Sequence, residues 1–230
     1  ETRTLNNGNL ILEDVPNVSE EIKKELKGYQ NIRSASFRGF KPDNEGVFIS
    51  TRFGDVGQLH VVDRPLGMRK QVTFFDEPIG SVSVQPNGGL IAFTMDSGGS
   101  ENAQIYVMNP ENGRTVLVSD GESRNGSVLW SRDGEKIAFG TTRRNGASND
   151  VWVMDYKYPE QAKMVFASPD GTSWTPADWS KDSKKILLQN YISVTSSRIF
   201  IVDTETGESE LVTDKEDSSN LALAFGASGR

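Results

Sequence analysis

Cysteine is absent from this 230-residue chain, and histidine occurs once, as His60. Without cysteine there is no disulfide framework, no thiolate-held zinc or iron–sulfur centre and no thiol nucleophile. A single imidazole cannot supply a two-histidine metal site. Positive charge is also in short supply. The chain carries 25 Lys and Arg against 32 Asp and Glu, a net charge of -7. Binders of phosphate backbones concentrate cations to displace counterions, so nucleic acid is not an expected partner. Long apolar runs are missing too. Segments such as Ile199-Phe200-Ile201-Val202 fall far short of a bilayer span, and no membrane insertion is expected. The first residue is Glu1 rather than methionine, which fits a removed leader or a larger parent chain, while a cysteine-free composition suits cytosol and periplasm alike.

Repetition is present instead. Four segments share a plan of apolar strand, polar turn, apolar strand, polar loop and a third apolar strand ending in Asp or Asn. They run from Phe40-Lys41-Pro42-Asp43 to Asp63, from Val84-Gln85-Pro86-Asn87-Gly88 to Asn109, from Trp130-Ser131-Arg132-Asp133-Gly134 to Asp155, and from Trp179-Ser180-Lys181-Asp182-Ser183 to Asp203. The closing residues recur 46, 46 and 48 positions apart. The turn residues are short side chains that bond their own backbone, or glycines that accept positive φ. Strands such as Leu90-Ile91-Ala92-Phe93 and Lys136-Ile137-Ala138-Phe139 are almost continuously apolar, which implies burial on both faces. A fourth strand follows in the later units, as in Thr115-Val116-Leu117-Val118. Four strands per repeat of this length is the arithmetic of a β-propeller blade. The fold class expected is therefore all-β: a propeller of four-stranded antiparallel blades, with four repeats and the start of a fifth.

The large side chains at the equivalent positions Phe40, Val84, Trp130 and Trp179 are expected to pack between blades rather than to stack on a ligand. One segment breaks the β pattern. Ser19 to Lys27, entered after Pro16 and left at Gly28, places Ile22, Leu26 and Tyr29 on one face of a short helix, acidic at its start and basic toward its end. The organisation expected is an N-terminal strand and helix over 1–33, four blades over about 34–78, 79–122, 123–170 and 171–214, and the start of a fifth over 215–230. Phe225 falls where Trp179 and Trp130 fell, and Ser228-Gly229 where the next turn belongs, so a fragment of a longer chain is expected. The alternative is that Asn9-Leu10-Ile11-Leu12 completes the last sheet and closes a small ring.

Trp130-Ser131-Arg132-Asp133-Gly134-Glu135-Lys136-Ile137-Ala138-Phe139, followed by a polar loop and a strand like Ile105-Tyr106-Val107-Met108-Asn109, resembles the TolB-type repeats of periplasmic translocation proteins and of prolyl oligopeptidase-family serine peptidases. The stretches 29–37, 49–55, 71–78 and 123–127 resemble more specifically the propellers of bacterial acylaminoacyl-peptidase or dipeptidyl-peptidase-like members. The resemblance implies a propeller that precedes an α/β-hydrolase domain with a Ser-Asp-His triad, caps its active site and filters substrates by size. No Gly-x-Ser-x-Gly elbow occurs: Gly226-Ala227-Ser228-Gly229 has its glycine one place early, and Gly146-Ala147-Ser148-Asn149-Asp150 lacks the second. His60 precedes both serines, whereas the hydrolase order puts histidine last. No catalytic residue is assigned, and the parent protein is expected to be the serine peptidase.

The resemblance also implies that propeller side chains help hold a peptide's charged terminus. The candidates lie in loops between second and third strands: Arg52, Asp55, Glu101, Arg143 and Arg144. The competing reading is solvated turn residues or inter-blade ion pairs. His60, in a Leu-His-Val-Val strand, reads as packed or paired. Glu216-Asp217 is acidic but lies in no Asp-x-Asp-x-Asp-Gly loop, so neither metal nor cofactor is expected. The partners expected are a peptide substrate reached through a C-terminal α/β-hydrolase domain, or a protein bound at the propeller face in the manner of an interaction module. A periplasmic or secreted location is favoured over the cytoplasm.

Overall fold

The structure is a computed structural model that describes residues 1–213 and 218–226. Four four-stranded antiparallel sheets follow one another along the chain. Blade 1 is β3 (Ser36–Phe40), β4 (Val47–Thr51), β5 (Gln58–Val62) and β6 (Arg69–Gln71). Blade 2 is β7 (Val82–Val84), β8 (Ile91–Met95), β9 (Gln104–Met108) and β10 (Thr115–Leu117). Blade 3 is β11 (Asn125–Trp130), β12 (Lys136–Thr141), β13 (Asp150–Asp155) and β14 (Lys163–Phe166). Blade 4 is β15 (Ser173–Trp179), β16 (Lys185–Ser193), β17 (Ser196–Asp203) and β18 (Ser209–Leu211). Each sheet is an up-and-down meander in sequence order. Adjacent sheets touch through their first strands, β3 with β7, β7 with β11 and β11 with β15. This is the blade stacking of a β-propeller, in which each sheet covers its neighbour's face.

The turns between first and second strands repeat one device. In blade 3 the Ser131 hydroxyl donates to Asp133 Oδ1 at 2.5 Å and accepts the Lys136 N–H at 2.9 Å. Blade 4 copies it with Ser180, Asp182 and Lys185, at 2.6 and 2.9 Å. Gly134 closes the first of these at φ +75, and a Cβ there would stand 2.7 Å from the Pro86 carbonyl oxygen of blade 2. Blade 4 holds Ser183 at the matching place with φ 58, a conformation costly for a side chain. Its hydroxyl accepts the Asp133 N–H at 3.1 Å, a bond between blades that glycine cannot make.

Between blades lie three apolar seams. Phe48, Leu59, Ile79, Ile91, Phe93 and Met108 fill the first. Ile105, Trp130, Ile137 and Phe139 are central to the second, and Val151, Trp174, Trp179, Ile186 and Leu188 to the third. The indoles are placed as expected from sequence: Trp130 Nε1 donates to the Ser83 carbonyl at 3.1 Å and Trp179 Nε1 to the Leu129 carbonyl at 3.3 Å, each on the preceding blade. Phe40 departs from that expectation. It stands 60% exposed on the free flank of blade 1, in edge contact with Phe37, because among the described residues no other sheet packs against that flank.

Two further expectations are corrected. β2 (Leu10–Glu13) pairs with β1 (Thr2–Leu5), not with the last sheet, so it closes no ring. This hairpin sits on blade 2, where Asn9 Nδ2 donates to the Gly98 carbonyl at 2.7 Å. The helix α1 (Glu20–Gln30) passes through Gly28 and ends at Asn31, whose N–H bonds the Lys27 carbonyl. A glycine in the last turn of an exposed helix costs about 1 kcal/mol, too little to stop it. Ser19 caps the other end by accepting the Ile22 N–H. No residue of α1 is buried and it packs on no other element.

Leu221 to Gly226 form no strand, but the Phe225 N–H donates to Asp178 Oδ2 at 2.9 Å. The same bond two repeats earlier runs from the Trp130 N–H to Ser83 Oγ at 3.3 Å. The turn expected at Ser228-Gly229 and the acidic pair Glu216-Asp217 lie outside the described residues.

Candidate functional site

The two rims of the blades differ. One carries the tight turns, whose polar side chains bond their own backbone. The other, the loop face, carries the longer links between second and third strands and the connections from one blade to the next. All five sequence candidates lie on this loop face.

Blade 3 concentrates its charge there. Arg144 Nε donates to Asp150 Oδ2 at 2.7 Å, and its Nη2 to Asp150 Oδ1 at 2.9 Å and to the Ser168 carbonyl at 3.1 Å. Asp150 is fully buried and also accepts the Ser168 N–H at 2.8 Å. The hydrogen bond to Asp150, helped by its charge, raises the Arg144 pKa further above its already high range. Arg143 lies over the Trp152 ring, 5.1 Å from its centre, and reaches Asp120 at 3.7 Å. Burial pushes the Asp120 carboxyl upward, but hydrogen bonds from Ser123 and Glu122 and the Arg143 charge outweigh this, and its pKa falls below the usual carboxylate range. Both arginines are thus tied to acids, Arg144 to Asp150 of its own blade and Arg143 to Asp120 in the connection from blade 2.

The other three candidates stand apart. Arg52 is half-buried in blade 1. Asp55 is exposed at a cleft of about 280 Å³ that Phe53, Phe74 and Asp76 also line. Glu101 of blade 2 is exposed at φ 62, with its N–H on Asp96 Oδ2. Among the described residues, no hydrogen bond or ion pair joins any of these three to one another or to the blade 3 arginines.

His60 is buried in β5, with Nδ1 3.1 Å from the Gln58 carbonyl oxygen and the Phe53 ring edge-on at 5.1 Å. That contact makes Nδ1 the protonated nitrogen, and the buried Nε2 has no hydrogen-bond partner among the described residues. Burial is the main cause that lowers the His60 pKa. The Arg69 charge adds to it, and the Gln58 carbonyl opposes it.

Sequence reasoning missed one element of the loop face. Between blades 3 and 4 lies a cleft of about 360 Å³, with Arg124 as its charged lining residue. Arg124 immediately precedes β11. Ala35, Ser81 and Thr172 likewise immediately precede β3, β7 and β15, but they stand at different distances from Phe40, Val84 and Trp179, so the repeat register carried no signal for Arg124. Among the described residues there is no group of three or more His, Cys, Asp or Glu placed to hold a metal ion, and no helix is long and apolar enough to cross a membrane.

The sheet order and the seams specify a propeller, and comparison with known proteins specifies which kind. The profile of the prolyl oligopeptidase N-terminal β-propeller domain matches residues 73–223. The chain belongs to this family. The Bacillus subtilis (strain 168) protein described as uncharacterized peptidase YuxL is 28% identical over 140 residues, which cover 60% of this chain and 19% of that protein. This prolyl oligopeptidase-family chain therefore spans less than a fifth of the curated relative's length.

Solved structures share the fold. TolB from Acinetobacter baumannii superposes with a TM-score of 0.63 at 21% identity, over 77% of this chain and 43% of TolB. A prolyl endopeptidase structure gives 0.64 at 13% identity, over 94% of this chain and 39% of that one.

Proposed function

We propose that this chain is the non-catalytic propeller portion of a prolyl oligopeptidase-like serine peptidase, admitting and positioning peptides for an α/β-hydrolase domain that the chain itself does not contain. The observation that carries this reading is the family membership, joined to the state of the one histidine. A general base must reach the nucleophile's proton. His60 is sealed inside blade 1, with one nitrogen on a carbonyl and the other buried without a hydrogen-bond partner among the described residues. The loop face supports the gating role, since polar and charged side chains line clefts of about 360 and 280 Å³ there.

Incubation of the chain alone with chromogenic acyl-aminoacyl and dipeptide substrates is expected to give no turnover. Hydrolysis blocked by a serine-directed phosphonate would overturn the reading. The division of the sequence into an N-terminal segment, four blades and an incipient fifth belongs to the same proposal.

A protein partner is favoured by one specific observation: α1 leaves Ile22, Leu26 and Tyr29 in solvent, from 43% to 79% exposed. Under this second reading the chain is a TolB-like interaction module. It predicts that replacing Leu26 and Tyr29 by serine abolishes recovery of a stable non-hydrolase partner in a pull-down.

A further inference from the structure

We propose that the cleft between blades 3 and 4 is a subsite for a peptide carboxylate, anchored by the Arg124 guanidinium. This rests on the reading of the loop face as the side that meets peptides. Three observations carry it.

The first is that Arg124 is held at its base and free at its tip. Its N–H donates to Thr142 Oγ1 at 3.2 Å, and its carbonyl accepts the Thr142 N–H at 3.0 Å. The next residue, Asn125, is buried and clamps blade 3 to blade 2 by donating to the Ala103 carbonyl at 3.0 Å and the Ser123 carbonyl at 2.7 Å. The Arg124 guanidinium has no hydrogen bond, ion pair or ring contact among the described residues. A fork on a rigid base is the arrangement that two-point recognition of a carboxylate calls for.

The second is that the acids of this quarter are engaged elsewhere. Asp150 is held by Arg144 and Ser168. Asp120 takes Ser123 and faces Arg143. Asp170 Oδ1 accepts from the Thr172 N–H and hydroxyl and from Trp174 Nε1. No carboxylate lines the cleft, so a negative ligand group meets a cation and no competing anion.

The third is space and lining. Asn149 and Ser173 offer neutral polar groups, and at Gly126 and Gly171 nothing stands within 4 Å of where a Cβ would be. A peptide end fits in about 360 Å³ with its carboxylate on the guanidinium. The carboxylate can be a C-terminus or an Asp or Glu side chain, and the test separates the two.

The experiment titrates the isotope-labelled chain with three probes: acetyl-Ala-Ala-Ala free acid, its C-terminal amide, and acetyl-Ala-Asp-Ala amide. The readouts are the Gly126 and Gly171 amide resonances and the Arg124 Nε resonance. The free acid is expected to bind about tenfold more tightly than the amide, as a charge-assisted bond requires. Binding of the Asp peptide at the free-acid level identifies any carboxylate as the ligand; binding at the amide level identifies the C-terminus. Arg124→Met should remove the tenfold preference and leave the thermal midpoint unchanged, and Arg124→Lys should keep part of the preference. Equal affinity for acid and amide, an unchanged preference in Arg124→Met, or a lowered midpoint would overturn the subsite while the loop-face reading stood. Absence of shifts with all three peptides would overturn both.

Discussion

Blades 1 and 3 are built from the same repeat but handle their loop-face charge in different ways. Blade 3 is covered on both sides, and its two loop arginines are neutralised by acids, one of them fully buried. Blade 1 is covered on one side, and its loop-face ring Phe53 takes two cations instead: Arg33, just before the blade, and Arg69 lie 5.5 and 4.8 Å from its centre. Beneath that ring sits His60, neutral and short of one partner. A blade with neighbours on both faces can carry a buried carboxylate, because the surrounding structure holds the arginine in place over it. On the half-covered blade the buried imidazole can stay uncharged, while Arg38 keeps its Nε buried without a hydrogen-bond partner among the described residues.

The sharpest way to break this contrast is at the seams. Trp179→Ala should lower stability by about 3–5 kcal/mol in urea unfolding, since it empties a site that is 1% exposed. Phe40→Ala, at the same repeat position on the free flank, should cost about 0.5–1 kcal/mol. Equal losses would mean that the two seam positions are not different environments. Next comes the buried acid. Arg144→Met strands the buried Asp150 and should lower stability by less than Trp179→Ala does, because the guanidinium is partly in water.

The third effect is a pH dependence confined to blade 1. The unfolded chain binds a proton at His60 near pH 6.5, and the folded chain resists it, so stability should fall as pH drops from 7 toward 5. His60→Leu should flatten that slope. Asp120, in the connection from blade 2, and Asp133 of blade 3, with lowered pKa, act in the same direction but from the normal carboxylate range downward, so the two windows separate on a stability–pH curve. The smallest effect is Arg143→Ala. Its ion pair at 3.7 Å is partly exposed, and with the lost ring contact the change should stay near 0.5–1 kcal/mol.

The repeat period, the Ser-x-Asp turns and the paired indoles were legible because each is a local demand: a tight reversal needs short polar residues, and a blade needs one large side chain facing its neighbour. The roles of the loop arginines were not. In sequence Arg143 and Arg144 read as holders of a peptide's charged terminus or as solvated or ion-paired turn residues, and only folding brings Asp120 and the Ser168 carbonyl to them from other turns of the chain. Arg124 showed nothing in its own neighbourhood, because its cleft is assembled from three separate connections. Phe40 reads like Trp130 in sequence, and what separates them is the sheet lying against one and not the other.

The central claim is that the loop face, not the turn face, receives peptides. Hydrogen–deuterium exchange of the chain with and without acetyl-Ala-Ala-Ala measures this directly. The account predicts slowed exchange over 120–126, 143–149 and 168–173, with the turns at 131–134 and 180–183 unchanged. Protection confined to those turns, or none anywhere, would contradict it.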